Sequence, residues 1–323
     1  MSISYGCVVL YEKYVLGHLD DRQFTGGAYA PAHLTSIFEI YNTDPDPLKC
    51  GSRGIGFCIN KGVSTFININ ESEEQNIQIF FNGHRITGKT TKDTIHYLIG
   101  DLRFEIQVFC FTELPLSQGF GLSGAGALST ALALNYAMKL NLEFSKLVNA
   151  AHYAEIINNS GLGDVICQAN GGLVLRKREG GYNIGRIEKV NYDFENKDML
   201  ICVIGKEVKT AKIITDPNRI KSINEAGRKY IAKFEKLNTV QKLSMAELVK
   251  QSFNFAKESN LMNNVVLKVI KHIQKKQLGQ ASMIMLGNAI LAIGKLDKIK
   301  DICLNYGQPM LCKIDPAPAR KIF

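Results

Sequence analysis

The segment PLSQGFGLSGAGALSTALALNYAMKL, residues 115–140, restricts this chain more than any other, because a glycine-rich turn runs straight into a long apolar helix. Gly119, Gly121, Gly124 and Gly126 strip side chains from the turn, and Ser123 stands among them where the helix is predicted to open. Glycine lets backbone N–H groups come close to a ligand, and the unpaired N–H groups and macrodipole at a helix N-terminus favour an anion. The arrangement points to a bound phosphate, with the Ser123 hydroxyl suited to the magnesium that accompanies a nucleotide. Small residues that merely let a helix lie close on a sheet would give the same composition, so the turn alone leaves both readings open.

About 30 residues on, AHYAEIINNSGLGDVICQANGGLVLR, residues 151–176, is predicted to begin as a helix and to break at Asn159-Ser160-Gly161. A loop carrying Asp164 follows, and Gly171-Gly172 opens a short strand ending at Arg176. Glu155 and Asp164 are the only acids between residues 144 and 178. A carboxylate in so apolar a stretch is costly unless it is paired, hydrogen-bonded or metal-bound. In a phosphoryl-transfer enzyme, Glu155 would be a second magnesium ligand and Asp164 would orient or deprotonate the attacking hydroxyl. Otherwise Asp164 caps a turn and Glu155 faces solvent.

A second phosphate signal competes with the first. Gly83, four residues, then Gly88-Lys89-Thr90 match the Walker A spacing after the apolar run 77–81. Asn82-Gly83, however, is a strong hairpin signal that would turn the strand back instead of feeding a phosphate loop. Thr90, Thr91 and Asp93 are predicted to start a helix.

The remaining composition narrows the class. A chain of 323 residues, 46% hydrophobic, is predicted to form two domains or one large one. It lacks an apolar run of membrane-spanning length and a signal-type N-terminus, so a cytoplasmic protein without membrane partners is expected. The eight cysteines form no Cys-x-x-Cys pair and are expected to be reduced core residues. Residues 1–195 carry 16 basic against 20 acidic side chains and residues 196–323 carry 23 against 10, which places the predicted domain boundary at 195/196. The basic half has apolar residues at helical spacing and no aromatic-basic platform, so its lysines are expected on solvated helix faces and not on nucleic acid.

These blocks resemble the GHMP kinases, the galacto-, homoserine, mevalonate and phosphomevalonate kinases. The family's loop, Pro, spacer, Gly-Leu-Gly-Ser-Ser-Ala, is matched by Pro115 and Gly119-Phe120-Gly121-Leu122-Ser123-Gly124-Ala125. The resemblance implies ATP phosphates on Pro115, Gly119, Gly121, Leu122, Ser123, Gly124 and Ala125, Mg2+ on Ser123 and Glu155, and Asp164 as the catalytic aspartate. Within the family, APAHLTSIFEI (30–40), GSRGIGFCINKGV (51–63) and ASMIMLGNAILAI (281–293) are similar to the archaeal pantoate kinase group. That implies transfer of the γ-phosphoryl of ATP to the 4-hydroxyl of pantoate, with another hydroxy acid substrate (shikimate, homoserine or mevalonate) or a non-catalytic nucleotide binder as alternatives. It also implies an α+β fold of two domains, ribosomal protein S5-like up to residue 195 and ferredoxin-like from 196; a homodimer is compatible with it. The pattern departs at Leu122, where the family has its first loop serine, at Ala32, where it has glycine, and at Met285-Leu286-Gly287, a reduced third motif. A carboxylate substrate calls for a fixed cation, which makes Arg176 and Arg53 candidates for a bidentate grip and His33 a candidate donor to substrate oxygens.

Overall fold

The computed structural model describes residues 26–235 and 242–322. Cys7 lies outside the described residues.

Two unusually long strands organise the first sheet. β1 (Gly26–Tyr41) and β2 (Gly51–Glu71) form an antiparallel ribbon, and β3 (Asn76–Phe81) and β4 (His84–Ile86) follow in the chain as an antiparallel pair at the far edge of the same sheet. Helix α1 (Lys89–Ile99) leads to β5 (Phe104–Phe111), then α2 (Leu122–Ala137), α3 (Phe144–Ile157) and the one-turn α4 (Asp164–Gln168), which ends at β6 (Leu173–Arg178) and β7 (Arg186–Lys189). β2 is long enough to serve two neighbours: residues 64–71 pair with β5 and residues 54–57 with β6. The ribbon is bent by register shifts at Pro31/Ala32 and at Thr35/Ile37, which bracket His33. Bulges re-aim side chains locally, and here they lie on either side of a histidine that is fully buried.

Apolar and small residues of α2 close this sheet. Ala125, Ala127, Leu128, Ala131 and Leu134 are fully buried on it. Their lack of bulk lets the helix lie so close that the Thr65 and Ser129 hydroxyls meet at 2.6 Å between helix and β2. The close approach expected of small residues is therefore met in this helix.

The second half builds its own antiparallel sheet. β8 (Met199–Val203) is followed by α5 (Ala211–Ile214), α6 (Pro217–Glu235), α7 (Met245–Glu258) and α8 (Asn264–Lys275), then β9 (Gly279–Ile284), β10 (Ala289–Gly294), α9 (Leu296–Cys303) and β11 (Pro309–Cys312), in the order β11-β8-β10-β9. On α6, Ile223, Ala226, Tyr230, Ile231 and Phe234 recur at helical spacing and are buried, whereas Lys221, Arg228, Lys229 and Lys233 face water. The solvated-face reading of the basic half holds for this helix.

Residues 313–321 return to the first sheet. The amide of Asn60 donates to the Lys313 carbonyl, that of Asp315 to the Cys58 carbonyl and that of Ala319 to the Gln168 carbonyl, after which β12 (Arg320–Lys321) pairs with the edge of β1. The chain's last described strand therefore braces α4. Seven described cysteines are buried free thiols. Among the described residues no helix is long and apolar enough to cross a membrane.

Candidate active site

Two helix N-termini open onto one cavity of about 500 Å³. At α2 the preceding Gly121 sits at φ 64° and no side chain caps the helix, which leaves backbone N–H groups for an anion. At α1 the preceding Gly88 sits at φ 54°, again without a side-chain cap. Gly119, at φ 81°, has a further constraint: a Cβ there would lie 2.4 Å from the Met285 carbonyl oxygen, so the third motif presses against the loop main chain.

The competing Walker A reading is corrected. Asn82 (φ 47°) and Gly83 (φ 82°) are the two central residues of a tight turn that pairs Phe81 with His84. Positive φ at both positions is the type I′ signature of a two-residue hairpin. Strand β4 thus separates Gly83 from Gly88, and no continuous loop wraps a phosphate. Gly88, Lys89, Thr90 and Thr91 nevertheless line the same cavity as Gly119, Gly121, Leu122 and Ser123. Of the expected phosphate-loop residues, Pro115 is exposed outside that lining, Gly124 backs onto Glu155, and the Ala125 amide is already bonded to the Gly121 carbonyl.

A string of hydroxyls runs from the loop to the buried acid. Ser123 Oγ donates to Thr90 Oγ1 at 3.2 Å, Thr90 Oγ1 meets Ser160 Oγ at 3.1 Å, and Ser160 Oγ donates to Glu155 Oε1 at 3.3 Å. Glu155 is 1% exposed, and its Oε2 is buried without a partner. Burial, reinforced by the charge of Asp164, pushes the Glu155 carboxyl up to about 8. An orphaned carboxylate oxygen beside hydroxyls is a fitting donor set for a hard divalent cation, which takes one or two protein oxygens and completes its shell with water and phosphate. Among the described residues, no group of three or more His, Cys, Asp or Glu suited to a metal occurs. Thr90 and Ser160 are missed when the sequence is read for acids and glycines, since Ser160 reads there only as part of a helix break.

Asp164 stands at the junction of two spaces. It lines the large cavity and also a recess of about 30 Å³ bounded by Thr35, Phe38, Ser52, Leu162, Ile214 and Leu286. Behind it, His33 Nδ1 lies 2.6 Å from Asp164 Oδ1. Burial lowers the tendency of His33 to hold a proton, but the charge of Cys167 and the bond to Asp164 outweigh it and raise the ring to about 9. The backbone N–H of His33 donates to the Phe120 carbonyl at 3.1 Å, so one residue ties the phosphate loop to the aspartate.

His33, Arg53 and Arg176 line neither space. His33 is sealed and touches the site through Asp164, with Thr35 Oγ1 also 3.5 Å from its Nδ1. Arg53 is drawn away into an ion pair with Glu235 at 2.7 Å. Arg176 is 2% exposed and donates to the Ser52 carbonyl and to Cys167 Sγ. It does, however, underlie the recess: a Cβ on Gly163 would lie 2.8 Å from its Nε.

This geometry agrees with the comparisons to known proteins. The description "GHMP kinases N terminal domain" matches residues 89–172, from the start of α1 to the Gly-Gly turn. The pantoate kinase of Methanocaldococcus jannaschii is 32% identical over 287 residues, 88% of this chain and 99% of that protein. The pantoate kinase of Thermococcus kodakarensis is 33% identical over 273 residues, 82% of this chain and 86% of that protein. A solved phosphotransferase related to the coenzyme A biosynthesis pathway superposes with a TM-score of 0.79 at 28% identity, covering 91% of this chain and 97% of its own. With the α+β fold, the uncapped helix ends and the Ser123, Glu155 and Asp164 cluster in place, the chain belongs to the GHMP kinases, alongside the archaeal pantoate kinases, and is a phosphotransferase acting on a hydroxyl group.

Proposed function

We propose that this enzyme transfers the γ-phosphoryl group of ATP to the 4-hydroxyl of pantoate, giving 4-phosphopantoate for coenzyme A synthesis in the cytoplasm. The observation that carries the reading is the position of Asp164 between a cavity with two uncapped helix N-termini and a small, mixed recess. Triphosphate oxygens would take the N–H groups at the start of α2, with Lys89 adding positive charge from α1. Mg2+ held by Ser123 and Glu155 would neutralise the charge that develops on the transferred group.

The residues around the recess support pantoate in particular, which is too large for about 30 Å³ and would extend into the adjoining cavity. Phe38, Leu162, Ile214 and Leu286 offer an apolar wall to its two methyl groups, and the hydroxyls of Thr35, Ser52 and Thr210 can bond its polar end. The guanidinium beneath Gly163 supplies the attraction for the carboxylate, so Arg176 is the substrate-side cation, whereas Arg53 and His33 act on the site indirectly. Asp164 accepts the hydroxyl hydrogen and aims its oxygen at the phosphorus, with residues 1–195 and 196–323 forming the two sides of the site. The test is ADP release and phosphorus NMR of the product with pantoate, mevalonate, homoserine and shikimate. Magnesium-dependent turnover with pantoate above the rest, lost in Ser123→Ala, Glu155→Ala and Asp164→Ala, is expected. ATP binding with no transfer to any of the four would overturn it.

A further inference from the structure

Arg176 presents a problem of charge. Its guanidinium is permanently ionised and almost wholly buried, yet among the described residues no carboxylate forms an ion pair with it. Its partners are a backbone carbonyl, Ser52 O at 3.2 Å from Nε, and a sulfur, Cys167 Sγ at 2.7 Å from Nη1. A neutral thiol is a weak acceptor and leaves a buried cation uncompensated, a costly state. Among the described residues, Cys167 Sγ is the side-chain atom that this buried guanidinium bonds.

The other side of Cys167 raises the same problem. His33 is fully buried and gives Nδ1 to Asp164, while its Nε2 is buried with no hydrogen bond of normal geometry. Cys167 and Asp164 are both on α4, three residues apart, so the sulfur shares a short helix with the acceptor of His33 Nδ1, whose ring leaves Nε2 buried without a hydrogen-bond partner. Burial pushes the Cys167 thiol up, but the charges of Arg176 and His33 outweigh burial and bring it below its ordinary value. Cationic neighbours are the usual setting of a stabilised thiolate. Cys58, which donates to the Cys167 carbonyl, has the opposite setting and is raised.

We propose that Cys167 is a thiolate positioning residue: between Arg176 and His33 it completes a buried row of alternating charge, Asp164, His33, Cys167, Arg176, that fixes His33 as donor to Asp164 and holds the aspartate toward the acceptor hydroxyl. The thiolate performs no chemistry. It keeps the proton on His33 and neutralises Arg176 when the recess holds no carboxylate. The proposal rests on phosphoryl transfer through Asp164 but not on the identity of the acceptor.

The test is a set of substitutions at one position, assayed in the full-length enzyme. Cys167→Ala and Cys167→Ser remove the charge and are expected to lower kcat about tenfold or more, the effect of a misaimed catalytic group, with the ATP KM unchanged. Cys167→Asp keeps the charge and is expected to recover most of the loss. A residue that only fills space would give the reverse order, with serine and alanine benign and aspartate damaging, and that order would overturn the proposal. The far-ultraviolet thiolate absorbance of the native enzyme at neutral pH, and its loss in Cys167→Ser, reads the ionisation directly. If the variants do not fold, a native enzyme with no thiolate band overturns the proposal, and a band that is present sustains it. An enzyme that fails to turn over pantoate but shows the band separates this inference from the acceptor assignment.

Discussion

Gly161 offers a way to disturb Glu155, the proposed metal ligand, without touching it. A Cβ added at this position would lie 2.3 Å from Glu155 Oε2 and 2.7 Å from both Cδ and Oε1. Ordinary contact begins near 3.4 Å, so the carboxyl must retreat by about 1 Å. The obstacle is the far end of a side chain and not main chain, and Gly161 does not occupy the left-handed region, so Gly161→Ala folds. Its global stability should stay within about 1 kcal/mol of the parent, since the loss of chain freedom in the unfolded state offsets local strain. Catalysis is less tolerant: a displacement of this size at a positioned group costs roughly 100-fold in rate, about 2.7 kcal/mol of transition-state stabilisation. The assay is ADP release at saturating ATP across a magnesium titration, paired with urea unfolding. A folded Gly161→Ala enzyme with parental kcat and parental magnesium dependence would refute the placement of the cation at Glu155.

Three further outcomes are expected. Gly163→Ala puts a methyl 2.4 Å from Ser52 Oγ and 2.8 Å from Arg176 Nε, so the KM for the acceptor should rise while that for ATP holds; initial-rate kinetics with both substrates varied decides it. Gly119→Ala places a side chain at φ 81° against the Met285 carbonyl oxygen at 2.4 Å; the left-handed backbone alone costs about 1–2 kcal/mol, and a lowered urea midpoint with weaker ATP binding should follow. His152, buried and bonded to the Cys50 carbonyl at 3.0 Å, is held down to about 4 by burial. Its folded value lies below the 6.5 of the unfolded chain, so its contribution is intact above 6.5 and is lost as the pH falls toward 4, by up to about 3 kcal/mol. Urea unfolding of the parent and of His152→Phe over that window should show the excess acid loss only in the parent.

Local chemistry was legible in the sequence, and distant pairing was not. The glycine turn, the apolar helix after it, the Asn82-Gly83 hairpin and the acids of residues 155 and 164 each declare themselves within a few residues, because turn conformations and helix ends are set by neighbours along the chain. What escapes is whatever depends on two strands meeting. His33 reads as a substrate donor until the paired bulges of β1 turn it inward onto an aspartate 131 positions away. Arg53 and Arg176 carry the right charge for a carboxylate, but only tertiary packing shows the first held by Glu235 and the second laid beneath Gly163. Thr90 and Ser160 look like helix-boundary residues, and their shared place beside Ser123 and Glu155 follows from α1 and α3 lying side by side. β1 itself, rich in alanine and with a proline inside, lacks the alternating signature of a strand half open to water because nearly all of its length is buried.

The segment that braces α4 sets an order of events during synthesis. Gln168 holds the phosphate turn through the Gly121 carbonyl at 2.8 Å, yet its own carbonyl is met by Ala319, and the edge of β1 by β12. A nascent chain that has passed Arg176 but not residue 313 owns every proposed catalytic side chain and still lacks the strap that braces α4. Such a ribosome-bound intermediate would expose an unpaired strand edge and a loose nucleotide turn, so competence to handle ATP should arrive only once residues 313–321 have emerged.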